Sequence, residues 1–435
     1  MTVPAELTLE GPRPLRGRIR VPGDKGISHR ALLFASLATG VSTLRHLADG
    51  DDVARTTAAL RALGVPILVG DIDGTVIVTA AGVDALREAD DVLDCANSGT
   101  TIRMLCGLLA GRPFHSVLNG DASLRRRPMR RVVEPLRAMG AHVDGRDDAR
   151  FPPLSVRGGA LVGTRAELAV ASAQVKTALV LAGLQAAGST EIIEPTPSRD
   201  HTERMLAALD APVELTGPTR VRVEAGAPGP FELDVPGDPS SAAFFVVAAV
   251  VTPGSEVTVE GVDLNPTRLG FVDVLRRMGA DVQVEVREER LGEPVGDLVA
   301  RAGPLRGTVV EGDEIPNVQD EVPVLAVAAA FADGITEFRD VAELRVKESD
   351  RVATVAAALT GLSVGVESGP DRLVVRGGHP RAAVWDSHGD HRLAMAGAVA
   401  ANAVEGASTV RGGAAVTSSY PRFADDLAAC TGAGR

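Results

Sequence analysis

A six-residue phrase recurs six times along this 435-residue chain, and it limits the possible folds more than any other feature. The clear copies are Leu60-Arg61-Ala62-Leu63-Gly64-Val65, Leu136-Arg137-Ala138-Met139-Gly140-Ala141 and Leu275-Arg276-Arg277-Met278-Gly279-Ala280. Fainter copies begin at Leu206, Leu359 and Leu427, and successive starts are 76, 70, 69, 83 and 68 residues apart. Each reads as a helix end stopped by glycine or a small polar residue. Alternating β-branched runs usually follow, as in Val65–Val69 with Val76–Val78, Val282–Val286, and Val364–Val366 with Leu373–Val375. The unit is therefore a mixed α/β module of about 70 residues. That period exceeds the common solenoid repeats, so globular modules grouped into domains are expected. Three per domain divide the chain near residue 240. Chance reuse of a common helix ending is the competing explanation.

Composition excludes several function classes. With 45% hydrophobic and 23% charged residues the chain has ample core material, and with 3% aromatics that core is mostly Ala, Val and Leu. A net charge of −12 and the scarcity of aromatics argue against nucleic-acid and membrane-surface binding. Three cysteines, Cys95, Cys106 and Cys430, form no C-x-x-C pair, which fits a reducing, cytoplasmic setting and argues against zinc. No secretion signal is read in residues 1–20, and the longest apolar runs, Ala242–Val251 and Val322–Ala332, are too short to span a bilayer.

The chemistry is expected where charged, small-residue segments open apolar helices. Pro22 to Arg30 reads P-G-D-K-G-I-S-H-R, a strand end, a turn and a helix start, where backbone N–H groups favour an anion and Lys25 and Arg30 add positive charge. The same form recurs at Asn97–Arg103, at Ser172–Lys176, at Arg199–Glu203 and at Asp390-His391-Arg392. Asp121–Arg131 holds five arginines, with Pro128 read as starting a helix. Most of these arginines should be solvated, with room for one aimed inward. Asp238-Pro239-Ser240-Ser241 caps one buried helix, and Asp320-Glu321 precedes another, where one carboxylate is expected to cap. His201 reads as structural, and Arg345–Arg351 mixes signs most densely. Capping and surface salt bridges account for any one segment. Cations repeated at helix N-termini, against the helix dipole, point to an anionic ligand.

The ordered set P-G-D-K, S-H-R, N-S-G-T, R-P at 127–128, S-A-Q-V-K, R-D-H-T-E, P-G-D-P-S-S-A at 236–242, K-E-S-D-R at 347–351 and D-H-R resembles the 5-enolpyruvylshikimate-3-phosphate synthase family over nearly the whole chain. Some of these motifs, with Asn265-x-Thr267-Arg268, resemble its class with glyphosate-tolerant members. The resemblance implies an α/β fold, a two-domain inside-out α/β barrel, each domain of three βαβαββ repeats. Domain 1 would be residues 1–22 and 240–435, and domain 2 residues 23–239, closing over the substrates. It implies a monomer that transfers the enolpyruvyl group of phosphoenolpyruvate to the 5-hydroxyl of shikimate 3-phosphate and releases phosphate, with no metal or organic cofactor.

By matching position, Lys25, Asp320 and Glu348 would be catalytic. Lys25, Gly99, Arg127, Gln174, Arg351 and Arg392 would bind phosphoenolpyruvate. Lys25, Ser28, Arg30, Ser172, Gln174, Arg199, Asp320 and Lys347 would bind shikimate 3-phosphate. Two positions depart from the family pattern. Gly26 stands where a Ser or Thr is usual, and Ser418 where many members carry Lys before an aromatic-Pro pair, here Tyr420-Pro421. They keep open a relative acting on a modified shikimate-type acceptor and an inactive ligand-binding homologue. The related transferase acting on UDP-N-acetylglucosamine is disfavoured, since no cysteine lies between Cys106 and Cys430.

Overall fold

The computed structural model describes residues 4–70 and 74–432. The six phrases are six helix ends. They close Asp51–Ala62 (α2), Arg130–Ala138 (α4), His201–Ala208 (α6), Gly270–Arg277 (α8), Arg351–Gly361 (α10) and Phe423–Thr431 (α12). In five of them the residue four after the leucine has a left-handed φ: Gly64 (90°), Gly140 (106°), Asp210 (53°), Gly279 (96°) and Ser363 (65°). The sixth turns one residue later, at Gly432 (70°). The next N–H returns to the leucine carbonyl in Val65→Leu60, Ala141→Leu136, Ala211→Leu206, Ala280→Leu275 and Val364→Leu359. This is the Schellman closure, for which glycine is the unstrained choice. The faint copies are faint because Asp and Ser occupy that position at a modest cost.

Each of these helices is amphipathic and partners a helix buried on all sides. The buried set is Lys25–Leu37 (α1), Gly99–Leu109 (α3), Ala173–Gly183 (α5), Pro239–Val251 (α7), Val322–Ala330 (α9) and His391–Ala403 (α11). In α7, α9 and α11 every residue is buried. Helices apolar around their whole circumference can only sit inside a core.

Two compact units divide the chain. One comprises Gly23–Val235 with Glu289–Glu293 and carries α1–α6; the other comprises the chain up to Pro22, Pro236–Glu288 and the chain from Pro294, and carries α7–α12. Each has its own hydrophobic cluster. Arg290 pairs with Asp234 at 2.8 Å, and His201 Nδ1 lies 2.8 Å from Glu293 Oε1, which explains why 289–293 groups with the first unit. Within each unit the buried helices pack on one another: α3 on α1 and α5, and α11 on α7 and α9. Gly107 permits the closest crossing, because a Cβ there would run into the Ala178 backbone of α5.

Three sheets belong to each unit. The sheet ordered Arg165–Glu167, Thr190–Ile193, Arg220–Val223, Val213–Gly217 shows the pattern. Its first two strands are parallel, joined by α5, and the last two are antiparallel, giving βαβαββ. The module opening the first unit takes its parallel edge strand, Glu232–Asp234, from that unit's far end, where Leu233 faces Leu44. In the second unit Arg16–Ile19 pairs with Glu256–Asp263 in the same manner. The last module has three strands, Glu6–Gly11, Gly406–Arg411 and Val384–Asp386. The fold is therefore the two-domain α/β arrangement with helices inside and sheets around them.

Candidate active site

In the α1–α6 unit, helix starts carry the predicted ligands. Asp24 caps α1, its Oδ1 accepting from Ile27 N–H at 2.7 Å. Lys25, the first helical residue, places Nζ 3.1 Å from Asp52 Oδ2 in the first turn of α2. Arg30, 3% exposed, donates to three neutral acceptors: Thr202 Oγ1 (2.7 Å), Thr177 Oγ1 (2.9 Å) and the Gly26 carbonyl (2.9 Å). Burial draws its pKa down to about 10. A guanidinium with no carboxylate in its hydrogen-bond shell retains attraction for an anion.

Ser28 differs from its sequence-based role. It is fully buried; its hydroxyl donates to the Asp24 carbonyl (2.7 Å) and accepts from Ala48 N–H (2.9 Å). It fastens the loop before α2 to α1 and presents no surface to a ligand.

At α3, Ser98 is the cap, accepting from Thr101 N–H at 3.1 Å. A Cβ on Gly99 would lie 2.8 Å from Arg103 NH1 and 3.1 Å from Arg127 NH1, so the glycine makes room for two guanidinium groups. Of the five arginines at 121–131, Arg127 is the buried one, hydrogen-bonded to Asn97, while Arg125, Arg126 and Arg130 are exposed. The helix there begins at Arg130, two residues beyond Pro128, and a short 3-10 turn at Leu124–Arg126 precedes the proline. Gln174 at the start of α5 accepts from Arg103 NH1 (2.6 Å) and donates to Thr100 Oγ1 (2.8 Å), joining two helix starts. Ser172 caps α5, and Arg199 is half-buried ahead of α6. His201 is buried against Glu293, in keeping with its structural reading. A buried chain, His29 Nδ1 to Thr56 (2.7 Å) to Thr101 (2.8 Å) to Ser98 (2.8 Å), braces α1, α2 and α3; burial pushes His29 down to about 3 and keeps it neutral.

In the α7–α12 unit the cations interlock with acids. Arg351, fully buried, reaches Asp390 (2.8 Å), Glu348 (2.7 Å) and Asp320 (3.4 Å). Burial opposes its charge, yet the three carboxylates raise its pKa above the ordinary arginine value. Arg392 NH1 donates to the Asp320 carbonyl (3.2 Å), and NH2 lies 3.6 Å from Asp320 Oδ2. Asp390 caps α11 and accepts from Ser349 Oγ (3.1 Å); burial would raise its pKa, and Arg351 with His391 brings it below the usual carboxylate value. Glu321 stands at the N-cap position of α9 but makes no side-chain capping bond. Glu321 instead accepts from Ser240 Oγ, and Asp320 turns to the two arginines. Lys347 is half-buried without a hydrogen bond or ion pair among the described residues, and burial, partly offset by Asp320, lowers its pKa to about 8.

Sequence reasoning left Arg103, Asp52 and Asn97 without roles. Arg103 stands one turn after Gly99 on the same helix face, a spacing that could have flagged it. Asp52 and Asn97 meet Lys25 and Arg127 across 27 and 30 residues of chain, a pairing that requires the fold. The α1–α6 set supplies fixed cations that can bind phosphate and carboxylate groups. The α7–α12 set holds two acids, Asp320 and Glu348, on one guanidinium, a grouping that can move a proton.

Known proteins place the chain. The family described as EPSP synthase (3-phosphoshikimate 1-carboxyvinyltransferase) matches residues 9–427. A 3-phosphoshikimate 1-carboxyvinyltransferase of Chloroflexus aurantiacus is 51% identical over 428 residues, covering 97% of this chain and 98% of that protein. Its Chloroflexus aggregans counterpart is 52% identical over 433 residues, 98% of each. The solved EPSP synthase of Acinetobacter baumannii superimposes with a TM-score of 0.86 at 38% identity, covering 98% of this chain and 97% of its own. The enolpyruvyl transferase NikO of Streptomyces tendae shares the fold, with a TM-score of 0.78 at 19% identity over 98% of this chain and 97% of its own. No helix among the described residues is long and apolar enough to cross a membrane. With a match from residue 9 to residue 427 and about half of all positions identical to named relatives, the chain belongs to the EPSP synthase (3-phosphoshikimate 1-carboxyvinyltransferase) family.

Proposed function

We propose that this chain transfers the carboxyvinyl group of phosphoenolpyruvate to the 5-hydroxyl of shikimate 3-phosphate and releases inorganic phosphate. The observation that carries the reading is the placement of Glu348 and Asp320 on one buried guanidinium, Arg351, beside Arg392. Glu348 donates a proton to the methylene carbon of phosphoenolpyruvate, which leaves the adjacent carbon cationic. The 5-hydroxyl attacks that carbon while Asp320 takes the hydroxyl proton. The tetrahedral adduct then loses phosphate by C–O cleavage, and the new methyl group returns a proton to restore the double bond. Lys25 contacts both substrates. Arg127, Arg351, Arg392, Gln174 and the Gly99 backbone hold phosphoenolpyruvate; Arg30, Ser172, Gln174, Arg199 and Lys347 hold the acceptor, with Lys347 at its 3-phosphate. Ser28 supports the α1 start. The two compact units serve as the two domains of a monomeric cytoplasmic enzyme. Cationic side chains fixed before the reaction stabilise the charge that develops on the phosphate and carboxylate oxygens.

Gly26 favours a second reading, a modified shikimate-type acceptor. A Cβ there would stand 3.1 Å from Asp24 Oδ1 and 3.3 Å from Arg30 NH1, a tight fit beside Arg30 that glycine avoids. Phosphate release from phosphoenolpyruvate, measured with shikimate 3-phosphate and with unphosphorylated shikimate, tests both. The proposal expects turnover with the phosphorylated acceptor and its abolition by Lys25→Met. Absence of release with shikimate 3-phosphate would exclude the main reading.

A further inference from the structure

A buried ionic triad lies outside the residues given a role above. The Lys176 side chain on α5 is 4% exposed, and its Nζ is 2.7 Å from both Glu194 Oε2 and Glu203 Oε1, each of whose side chains is 2% exposed. One ammonium between two carboxylates leaves an excess negative charge inside the α1–α6 unit. Burial raises the Glu203 pKa, with Lys176 opposing it. Well-packed apolar side chains would hold such a position at least as stably, so stability is a weak reason for the triad. Buried ionic groups also fix geometry, and here the geometry leads to two proposed ligand residues.

Glu194 Oε1 accepts from the Ser172 N–H at 3.0 Å, which orients the cap of α5. Glu203 is the neighbour of Thr202, and Lys176 the neighbour of Thr177. Those two hydroxyls lie 2.6 Å apart, and they accept from Arg30 Nε and NH2 at 2.7 and 2.9 Å. One ammonium thus ties the backbone that presents Ser172 to the pair of hydroxyls that aim Arg30. The geometry points to Lys176, Glu194 and Glu203 as positioning residues that set the spacing between two contacts of the shikimate-type acceptor, Ser172 and Arg30. This rests on the acceptor assignment proposed above.

The test is steady-state kinetics on Glu203→Gln, Lys176→Met and Lys176→Arg in the full chain. Thermal melting and calorimetric binding of shikimate 3-phosphate accompany it. Glu203→Gln keeps the side-chain volume and removes the charge, so it carries the test if Lys176→Met does not fold. The expected result is a rise of about tenfold or more in KM and Kd for shikimate 3-phosphate. KM for phosphoenolpyruvate and kcat should stay within about twofold, with partial rescue by Lys176→Arg. A lowered melting temperature with an unchanged Kd for the acceptor would overturn the inference, as would an equal rise in both KM values. A wild-type chain that binds shikimate 3-phosphate without releasing phosphate would overturn the proposed reaction instead, and the calorimetric Kd of the variants would still decide the role of the triad.

Discussion

The two units build sites of opposite character from the same module. In the α1–α6 unit, Arg30 donates only to neutral acceptors among the described residues, and amides accept from Arg103 and Arg127. In the α7–α12 unit, Arg351 and Arg392 interlock with Asp320, Glu348 and Asp390. A cation satisfied by amides and hydroxyls keeps its charge for a ligand, whereas one satisfied by carboxylates tunes their protonation. The first arrangement suits binding and the second suits proton transfer. Lys25 in the first unit, paired with Asp52, and Lys347 in the second, without a hydrogen bond or ion pair among the described residues, each carry the character of the opposite set.

Four measurements would break or sharpen this contrast. The largest effect belongs to the acids. Glu348→Gln should lower kcat by about 10²–10⁴ while both KM values move less than about threefold, because a proton donor acts in the transition state. A KM-dominated loss would erase the distinction between the units. Next, Arg30→Gln should raise KM for shikimate 3-phosphate by about 10–100-fold, the loss of one charge-assisted contact of about 1.5–3 kcal/mol, with kcat affected far less. The third concerns pH. With its pKa lowered to about 8 by burial, Lys347 is protonated below that pH and neutral above it. Its attraction for the acceptor phosphate is present at lower pH and lost as pH rises. Log kcat/KM for shikimate 3-phosphate should therefore fall with a slope of about −1 above pH 8, and Lys347→Arg should remove that limb. The smallest effect is expected for Gly26→Ser. The new Cβ sits tightly against Asp24 and Arg30, and the added hydroxyl should lower KM for shikimate 3-phosphate by about threefold to tenfold, worth about 1 kcal/mol. No gain would mean that Gly26 does not weaken acceptor binding.

The departure at Ser418 has a clear local setting. Ser418 Oγ donates to the Ala415 carbonyl at 2.7 Å inside a 3-10 turn that runs into buried Tyr420, whose hydroxyl donates to Asp426. The aromatic-Pro pair therefore anchors the chain end by packing among Phe245 and Phe423, whatever residue stands at 418.

By itself, the sequence determined the local rules and their repetition. The L-x-x-x-G phrase marks helix termination because a left-handed residue after a helix is a backbone requirement that glycine meets without strain. Continuous apolar runs such as Ala242–Val251 identified buried helices, and ordered motifs identified the family. Only the tertiary structure decided which of two adjacent polar groups faces inward and what it touches. It turned Ser28 into the core, released Glu321 from capping, selected Arg127 from five arginines, and set Lys176 between two glutamates. The physical reason is range. Helix ends and strand alternation arise from contacts a few residues apart, while the state of a charged side chain depends on partners brought from 18 to 74 residues away.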